Sequence, residues 1–137
     1  MEITTCETKE ALGEMAAKDG AARIREALRR RGEASIIVAS GASQLAMLDH
    51  LVKAEDIAWH QVTGFHLDEY VGLPITHPAS FRLYMWQRFV RRLPLPLRAF
   101  HYIEADDDPE AECRRLLAGE GQPRSPEEAR VLSWVSA

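Results

Sequence analysis

Long apolar runs, paired cysteines and blocks of like charge are all missing from this chain of 137 residues. No stretch approaches the ~18 consecutive apolar residues that a membrane-spanning helix needs. Cys6 and Cys113 are the only cysteines. They are too few for a disulfide framework and too far apart for a metal-spaced pair. Lys and Arg are scattered and the formal net charge is −4, so nucleic acid, whose phosphates call for clustered cations, is not an expected partner. The one basic run, Arg29-Arg30-Arg31, closes a predicted helix, where it complements the negative end of the helix dipole. The start, Met1-Glu2-Ile3-Thr4-Thr5, lacks the basic and apolar regions of a secretory signal. Internal repeats and low-complexity tracts are absent too. With 46% apolar and 28% charged residues the composition is that of a globular chain, and its length is a prior for one domain. The expectation is a cytoplasmic protein with no nucleic-acid or membrane partner.

What is present is an alternation of helical and strand-like segments. A helix is expected from Thr8 to Arg31, with Glu7 and Glu10 near its start, Gly32 past its end, and Ala17, Ala21, Ile24 and Leu28 at helical spacing. Gly20 inside it costs roughly 1 kcal/mol relative to Ala. Residues 35–39 read as a strand apolar on both faces, as a buried parallel strand would be. Ser40-Gly41-Ala42-Ser43 is a turn, and Leu45, Leu48 and Val52 start a second helix. Residues 62–67 form a second strand ending at Asp68-Glu69. A loop with two prolines and a glycine runs from Val71 to Pro78, where His77 is expected to cap the helix that follows. Phe81, Tyr84, Met85 and Phe89 mark one face of that helix, with Arg82, Arg88 and Arg92 elsewhere on it. Residues 100–103 are a third strand. Asp108-Pro109-Glu110 begins a last helix with a capping Asp and Pro in its first turn, and Leu116 and Leu117 carry its apolar side.

This pattern predicts an α/β fold: a Rossmann-like parallel sheet flanked by helices in three layers. In such sheets ligands bind beyond the carboxyl ends of the strands. Two polar clusters fall there, and the topology puts both on one edge of the sheet. Ser40, Gly41, Ala42 and Ser43 join a strand to a helix start, where free N–H groups and the dipole favour an anion such as a phosphate ester. No Walker Gly-Lys-Ser/Thr is present. Read by itself, the turn serves equally as an ordinary cap. Asp68 and Glu69 follow the second strand. A carboxylate at that place can move a proton between neighbouring sugar carbons, although aspartate is a weak base unless burial strengthens it, and both acids serve equally well as caps of the next turn. His66 lies two residues before Asp68 and shares its face if the strand continues that far. Otherwise it is a core residue. His50, His60 and His101 show no metal-ligand spacing.

The stretch Phe65-His66-Leu67-Asp68-Glu69-Tyr70-Val71-Gly72-Leu73-Pro74, continuing through His77-Pro78-Ala79-Ser80-Phe81, resembles the signature of the glucosamine-6-phosphate deaminases, which are also called isomerases. Ser40 to Ser43 stands where that family has its phosphate-binding turn, and Ala111-Glu112-Cys113-Arg114 resembles a family helix. The likeness covers about residues 8–118. It implies conversion of glucosamine 6-phosphate, a small-molecule sugar phosphate, to fructose 6-phosphate and ammonia, with no metal or organic cofactor. Asp68 matches the enolisation base, and Glu69, Tyr70 and Gly72 match its surrounding loop. The related 6-phosphogluconolactonases carry Arg after Asp-Glu and Ser-Asn in place of Ser80-Phe81, so Tyr70, Gly72 and Phe81 favour the deaminase side. His66-Leu67 and Phe81-Arg82 mark a divergent branch. The resemblance leaves room for a homo-oligomer.

After about Gly119 the resemblance stops. The expected organisation is an isomerase-like N-terminal half over residues 1–119 and a divergent tail over 120–137. In the tail, Ser125-Pro126-Glu127-Glu128 forms a capping box before a short helix bearing Val131, Leu132 and Trp134. The family's later segment, whose His–carboxylate group opens the sugar ring, has no counterpart here. The tail is expected to be aberrant, from a shifted frame or truncated gene. The competing view is a genuine short homologue whose tail helix covers a sheet edge. Three functions compete: a deaminase-type isomerase, inactive in this short form; a 6-phosphogluconolactonase-like hydrolase; and a non-catalytic fragment that binds sugar phosphate.

Overall fold

The computed structural model of the protein describes residues 3–118. The domain boundary at 119/120 and the tail helix therefore lie outside the described residues. Helix α1 (Lys9–Arg31) leads to strand β1 (Ala34–Val38). A 3-10 turn (Ala42–Gln44) opens α2 (Leu45–Leu51). Then come β2 (Val62–His66), α3 (Phe81–Arg88), β3 (Ala99–His101) and α4 (Pro109–Leu117). Among the described residues, three parallel strands in the order β1-β2-β3 are flanked by four α-helices, the α/β architecture expected from the alternation.

The termini of α1 follow from local chemistry. Thr8 accepts a hydrogen bond from the Ala11 N–H, and Gly32 ends the helix at φ 74 while donating its N–H to the Leu28 carbonyl, as a left-handed glycine cap does. Ala17, Ala21 and Ile24 are buried. Gly13 meets α2 so closely that a Cβ there would stand 2.5 Å from the Ala46 Cβ. Gly64 in β2 likewise lets the Phe100 ring cross the strand, since a Cβ would sit 2.4 Å from it. Both glycines are packing residues. Gly20, the one that weakened the helix pattern, has open space around it.

One core lies between the sheet and α1, α2 and α3. It gathers Ala34 and Val38 of β1, Val62 of β2, Leu48 and Leu51 of α2, and Met85 of α3 with Trp59 and Phe89. Right-handed crossovers put α2 and α3 on one face of a sheet that grows in one direction. The other face is covered unevenly. His101 is 8% exposed and stacks on Phe65, whereas Ile37 is 70% exposed. The strand at 35–39 is therefore buried on one face only, contrary to its reading as apolar and covered on both.

Three further expectations are corrected. Leu117 is 88% exposed. The buried anchor of α4 is instead Glu112, which accepts from the Glu104 N–H and from Arg115. Ser80, not His77, caps α3, accepting from the Leu83 N–H. His77 holds the preceding turn by accepting the Ala79 N–H at Nδ1. Arg82, expected away from the apolar face of α3, is 3% exposed.

Candidate functional site

β1 and β2 are paired in parallel with Val38 opposite His66, so the segments after them leave the sheet side by side. Ser40 is buried, while Gly41, Ala42 and Ser43 are exposed. Asp68 is exposed as well, and the Ser40 hydroxyl donates to its Oδ1 at 3.5 Å. The structure thus brings the two clusters to one edge of the sheet and into contact. Gly41 adopts φ −62, and no side chain caps the helical run that begins at Ala42. A Cβ on Gly41 would meet only Ser43 Oγ, at 3.6 Å. The fold therefore does not require glycine at this position, and the bare backbone faces outward.

The adjacent acids have separated fates. The Glu69 side chain is fully buried. Its Oε1 accepts the N–H groups of Tyr70 and Phe81 at 2.9 and 3.0 Å, and its Oε2 accepts the Ser80 hydroxyl and the Arg82 N–H at 2.9 and 2.8 Å. Helix α3 has no acidic residue in its own first turn. Glu69 supplies that charge from the preceding loop, at the end of the dipole that favours it. Capping thus describes Glu69, which closes off its carboxylate, whereas Asp68 stays open to solvent. Burial pushes the Glu69 carboxyl up. The N–H groups of Arg82, Phe81 and Tyr70 and the Ser80 hydroxyl outweigh that and hold it below the usual carboxylate range.

Arg82 completes the network. Its Nε lies 3.5 Å from Glu69 Oε2, and its Nη2 donates to the Leu73 carbonyl at 2.9 Å and to Asp106. One guanidinium thereby ties the loop after β2 to the segment after β3. Gly72 makes a second tie, its N–H donating to the Ala105 carbonyl at 2.7 Å. Gly72 sits at φ 79, a conformation that penalises any residue with a Cβ. Tyr70 rests on Phe81, ring centroids 4.9 Å apart. Sequence reading missed Arg82 and Asp106 as site-building residues. A signal did exist: an arginine in the first turn of a helix faces the positive end of the dipole, which is unfavourable unless carboxylates meet it.

His66 makes no hydrogen bond to Asp68. β2 ends at His66, so strand alternation does not reach two residues further. The imidazole is buried with neither ring nitrogen hydrogen-bonded, edge-on to Tyr102. Burial holds it below its ordinary pKa, Glu69 and Asp68 oppose that, and Arg82 adds to it. Burial, with help from Arg115, lowers His101 too. In the unfolded chain these rings take up protons near ~6.5, while in the folded chain they resist. Stability is therefore lost as pH falls through that value. We expect the melting midpoint to drop between about pH 7.5 and 5.5, and His66→Phe to reduce the drop. An equal drop in the variant would show that His66 does not contribute. Among the described residues no group of three or more His, Cys, Asp or Glu is arranged to hold a metal ion, and no helix is long and apolar enough to cross a membrane.

Known proteins are similar to this chain in sequence and in fold. Residues 7–122 match the family model of glucosamine-6-phosphate isomerases/6-phosphogluconolactonase. Glucosamine-6-phosphate deaminase 1 of Bacillus subtilis is 33% identical over 119 residues, which is 84% of this chain and 48% of that protein. A solved monomeric glucosamine-6-phosphate deaminase superposes with a TM-score of 0.73 at 30% identity, covering 88% of this chain and 52% of that one. A 6-phosphogluconolactonase from Shewanella baltica gives a TM-score of 0.72 at 22% identity, a likeness of fold. The chain spans about half the length of these relatives. It belongs to the glucosamine-6-phosphate isomerase/6-phosphogluconolactonase family of enzymes.

Proposed function

We propose that the edge formed by the 40–43 turn and Asp68 is the proton-transfer and phosphate end of a sugar-phosphate site of the deaminase type. The observation that carries this reading is the contact of Ser40 with Asp68. It sets an exposed carboxylate beside an uncapped helix start, while its neighbour Glu69 is consumed by the fold. In this reading the turn holds the 6-phosphate through backbone N–H groups and the hydroxyls of Ser40 and Ser43. Asp68 takes the proton from C2 of the open-chain amino sugar while O1 takes one from water, giving an enolamine, and returns its proton to C1 as the nitrogen gives one back to water. The resulting C2 imine adds water and releases ammonia, leaving fructose 6-phosphate. Deaminase relatives at 30% and 33% identity support the amino-sugar substrate over the lactone.

Ring opening needs acid–base groups that the resemblance assigns to a segment without a counterpart in this sequence, and general acid–base help is typically worth ~10²–10⁴-fold per group. The 137-residue chain is therefore expected to bind glucosamine 6-phosphate weakly and to release no measurable ammonia. The test is NMR titration with glucosamine 6-phosphate and with glucosamine, beside assays of ammonia and fructose 6-phosphate on the chain and on Asp68→Asn. Shifts at 40–43 that require the phosphate support the reading, and their absence at millimolar ligand overturns it. Turnover abolished by Asp68→Asn would instead show that this short form assembles a complete site.

A further inference from the structure

His66 is the last residue of β2. It is 5% exposed, and both of its ring nitrogens are buried without a hydrogen bond. A neutral imidazole carries one donor and one acceptor, and leaving both unmade in the interior costs stability. An apolar ring would fill the same place without that cost, and the proposed reaction gives the imidazole no task. Three charged groups act on it: Glu69 and Asp68 from the loop after β2, and Arg82 from α3. The segment after β3 adds the Tyr102 ring, edge-on at 6.5 Å, and holds Asp106 against Arg82. From β1 the facing residue is Val38, which is uncharged.

A proton taken from solvent turns this ring into a buried cation near a buried guanidinium. A cation in such a place needs a carboxylate. Glu69 already accepts four hydrogen bonds and faces Arg82. Asp106 is taken by the same arginine. Asp68 is the lightly held one. Among the described residues its hydrogen-bond partner is Ser40, and at 3.5 Å that contact is long for a hydroxyl donor. Asp68 is also exposed and stands two residues along the chain from the ring, so its side chain can turn while the strand and the Glu69 network stay in place.

We propose that His66 is a proton-operated switch on Asp68. When the imidazole takes up a proton, Asp68 leaves Ser40 and pairs with it, and the free carboxylate is withdrawn from the sheet edge. Burial places the switch on the acid side of the ordinary histidine value of 6.5, helped by Arg82 and only partly opposed by the two acids. Neutral solution keeps the edge assembled, and mild acid takes it apart. The switch belongs to the loop and holds whether or not the proposed reaction is correct. Its consequence, an edge that loses its base in acid, rests on that reading.

The test is NMR titration of the full chain, without ligand, from about pH 7.5 to about pH 5, the range in which histidines change charge. The His66 ring, the Asp68 side-chain carboxyl and the Ser40 amide are followed together. The expected result is one shared transition below 6.5, with the circular dichroism unchanged. His66→Asn, neutral throughout, is expected to abolish the transition at Asp68 and Ser40. Ser40→Ala releases Asp68 and is expected to move the His66 transition to higher pH, a response that a merely buried histidine would not give. Ser40→Ala decides the matter alone if His66→Asn does not fold. His101, the other buried histidine, stacks on Phe65, and His101→Asn is expected to leave the response of Asp68 in place. Titration of His66 with Asp68 and Ser40 unmoved overturns the proposal, as does a His66 transition indifferent to Ser40→Ala. A ring that stays neutral across the range overturns it as well. So does loss of helical signal along with the His66 transition, because acid would then unfold the chain rather than turn one carboxylate.

Discussion

Replacing Glu69 by Ala is expected to destabilise the protein by about 3–5 kcal/mol, the cost typical of removing one partner from a buried ion pair. The melting midpoint should fall by roughly 10–20 °C. The Glu69 carboxylate receives four hydrogen bonds and lies beside the buried Arg82 guanidinium. Its loss leaves N–H donors at the start of α3 without their acceptor and Arg82 with Asp106 as its remaining carboxylate partner. Glu69→Gln keeps the shape but only one acceptor oxygen, so it should fall between wild type and Ala. Adding Arg82→Met to Glu69→Ala should cost less than the sum of the two single changes, because the charges being removed are coupled. The control is Glu110→Ala, at an exposed residue 4.0 Å from Arg114, expected to stay within ~0.5 kcal/mol. Chemical denaturation of the set decides the matter. A Glu69→Ala loss no larger than the control would show that this carboxylate does not hold the loop. The consequence for function is indirect but direct in space: the loop that Glu69 pins to α3 begins at Asp68. The sign of the acid dependence is fixed as well. A carboxylate held below its usual range contributes stability above that range and loses it as pH falls through its folded value. Glu69 therefore adds to acid destabilisation only below about 4.5, the ordinary value, well after the two histidines have begun to act.

The second large effect is a pair of identical substitutions with opposite outcomes. Gly20→Ala should stabilise the protein by up to about 1 kcal/mol, since alanine is the better helix former and nothing stands within 4 Å of the new methyl. Gly13→Ala gains the same propensity but drives its Cβ to 2.5 Å from the Ala46 Cβ and 2.8 Å from the Ala46 carbonyl carbon. Backbone cannot yield as a flexible side-chain end can, and overpacking of this kind costs about 1–3 kcal/mol. The net result should be destabilising, and Gly13→Val more so. Equal effects at the two sites would mean that α1 and α2 do not meet as closely as the fold requires. The contact bears on the site because α2 begins where the 40–43 turn ends.

Local patterns made most of the elements legible. Thr8 and Gly32 bound α1, Asp108 and Pro109 start α4, and the β-branched run before Ser40 is a strand, because caps and propensities act within a few residues. The alternation of strands and helices also implied a parallel sheet, and from it the shared edge for the 40–43 turn and Asp68. The motif around Asp68 pointed to the family. What escaped was long-range. Nothing within four residues of Arg82 announces Glu69, Leu73 and Asp106 as its partners, and a hydrophobic pattern assigns any arginine to the solvent face. Ile37 was read as buried because an apolar residue is consistent with burial but does not supply the layer that would cover it. Leu117 misled in the same way.

The sequence by itself determined the order of elements, the parallel class of the sheet, the carboxyl-end position of both polar clusters and the family. Each of these depends on short-range backbone preference or on the handedness of a crossover, which nearly any chain with this pattern shares. Tertiary structure decided which of two adjacent acids is free. It buried Glu69 under the first turn of a helix from later in the chain and left Asp68 at the edge beside Ser40. It also decided which glycine of α1 the fold requires, giving Gly13 to α2 and leaving Gly20 with open space around it. These choices rest on where a neighbouring backbone comes to lie, a distance of a few ångströms that no local pattern encodes.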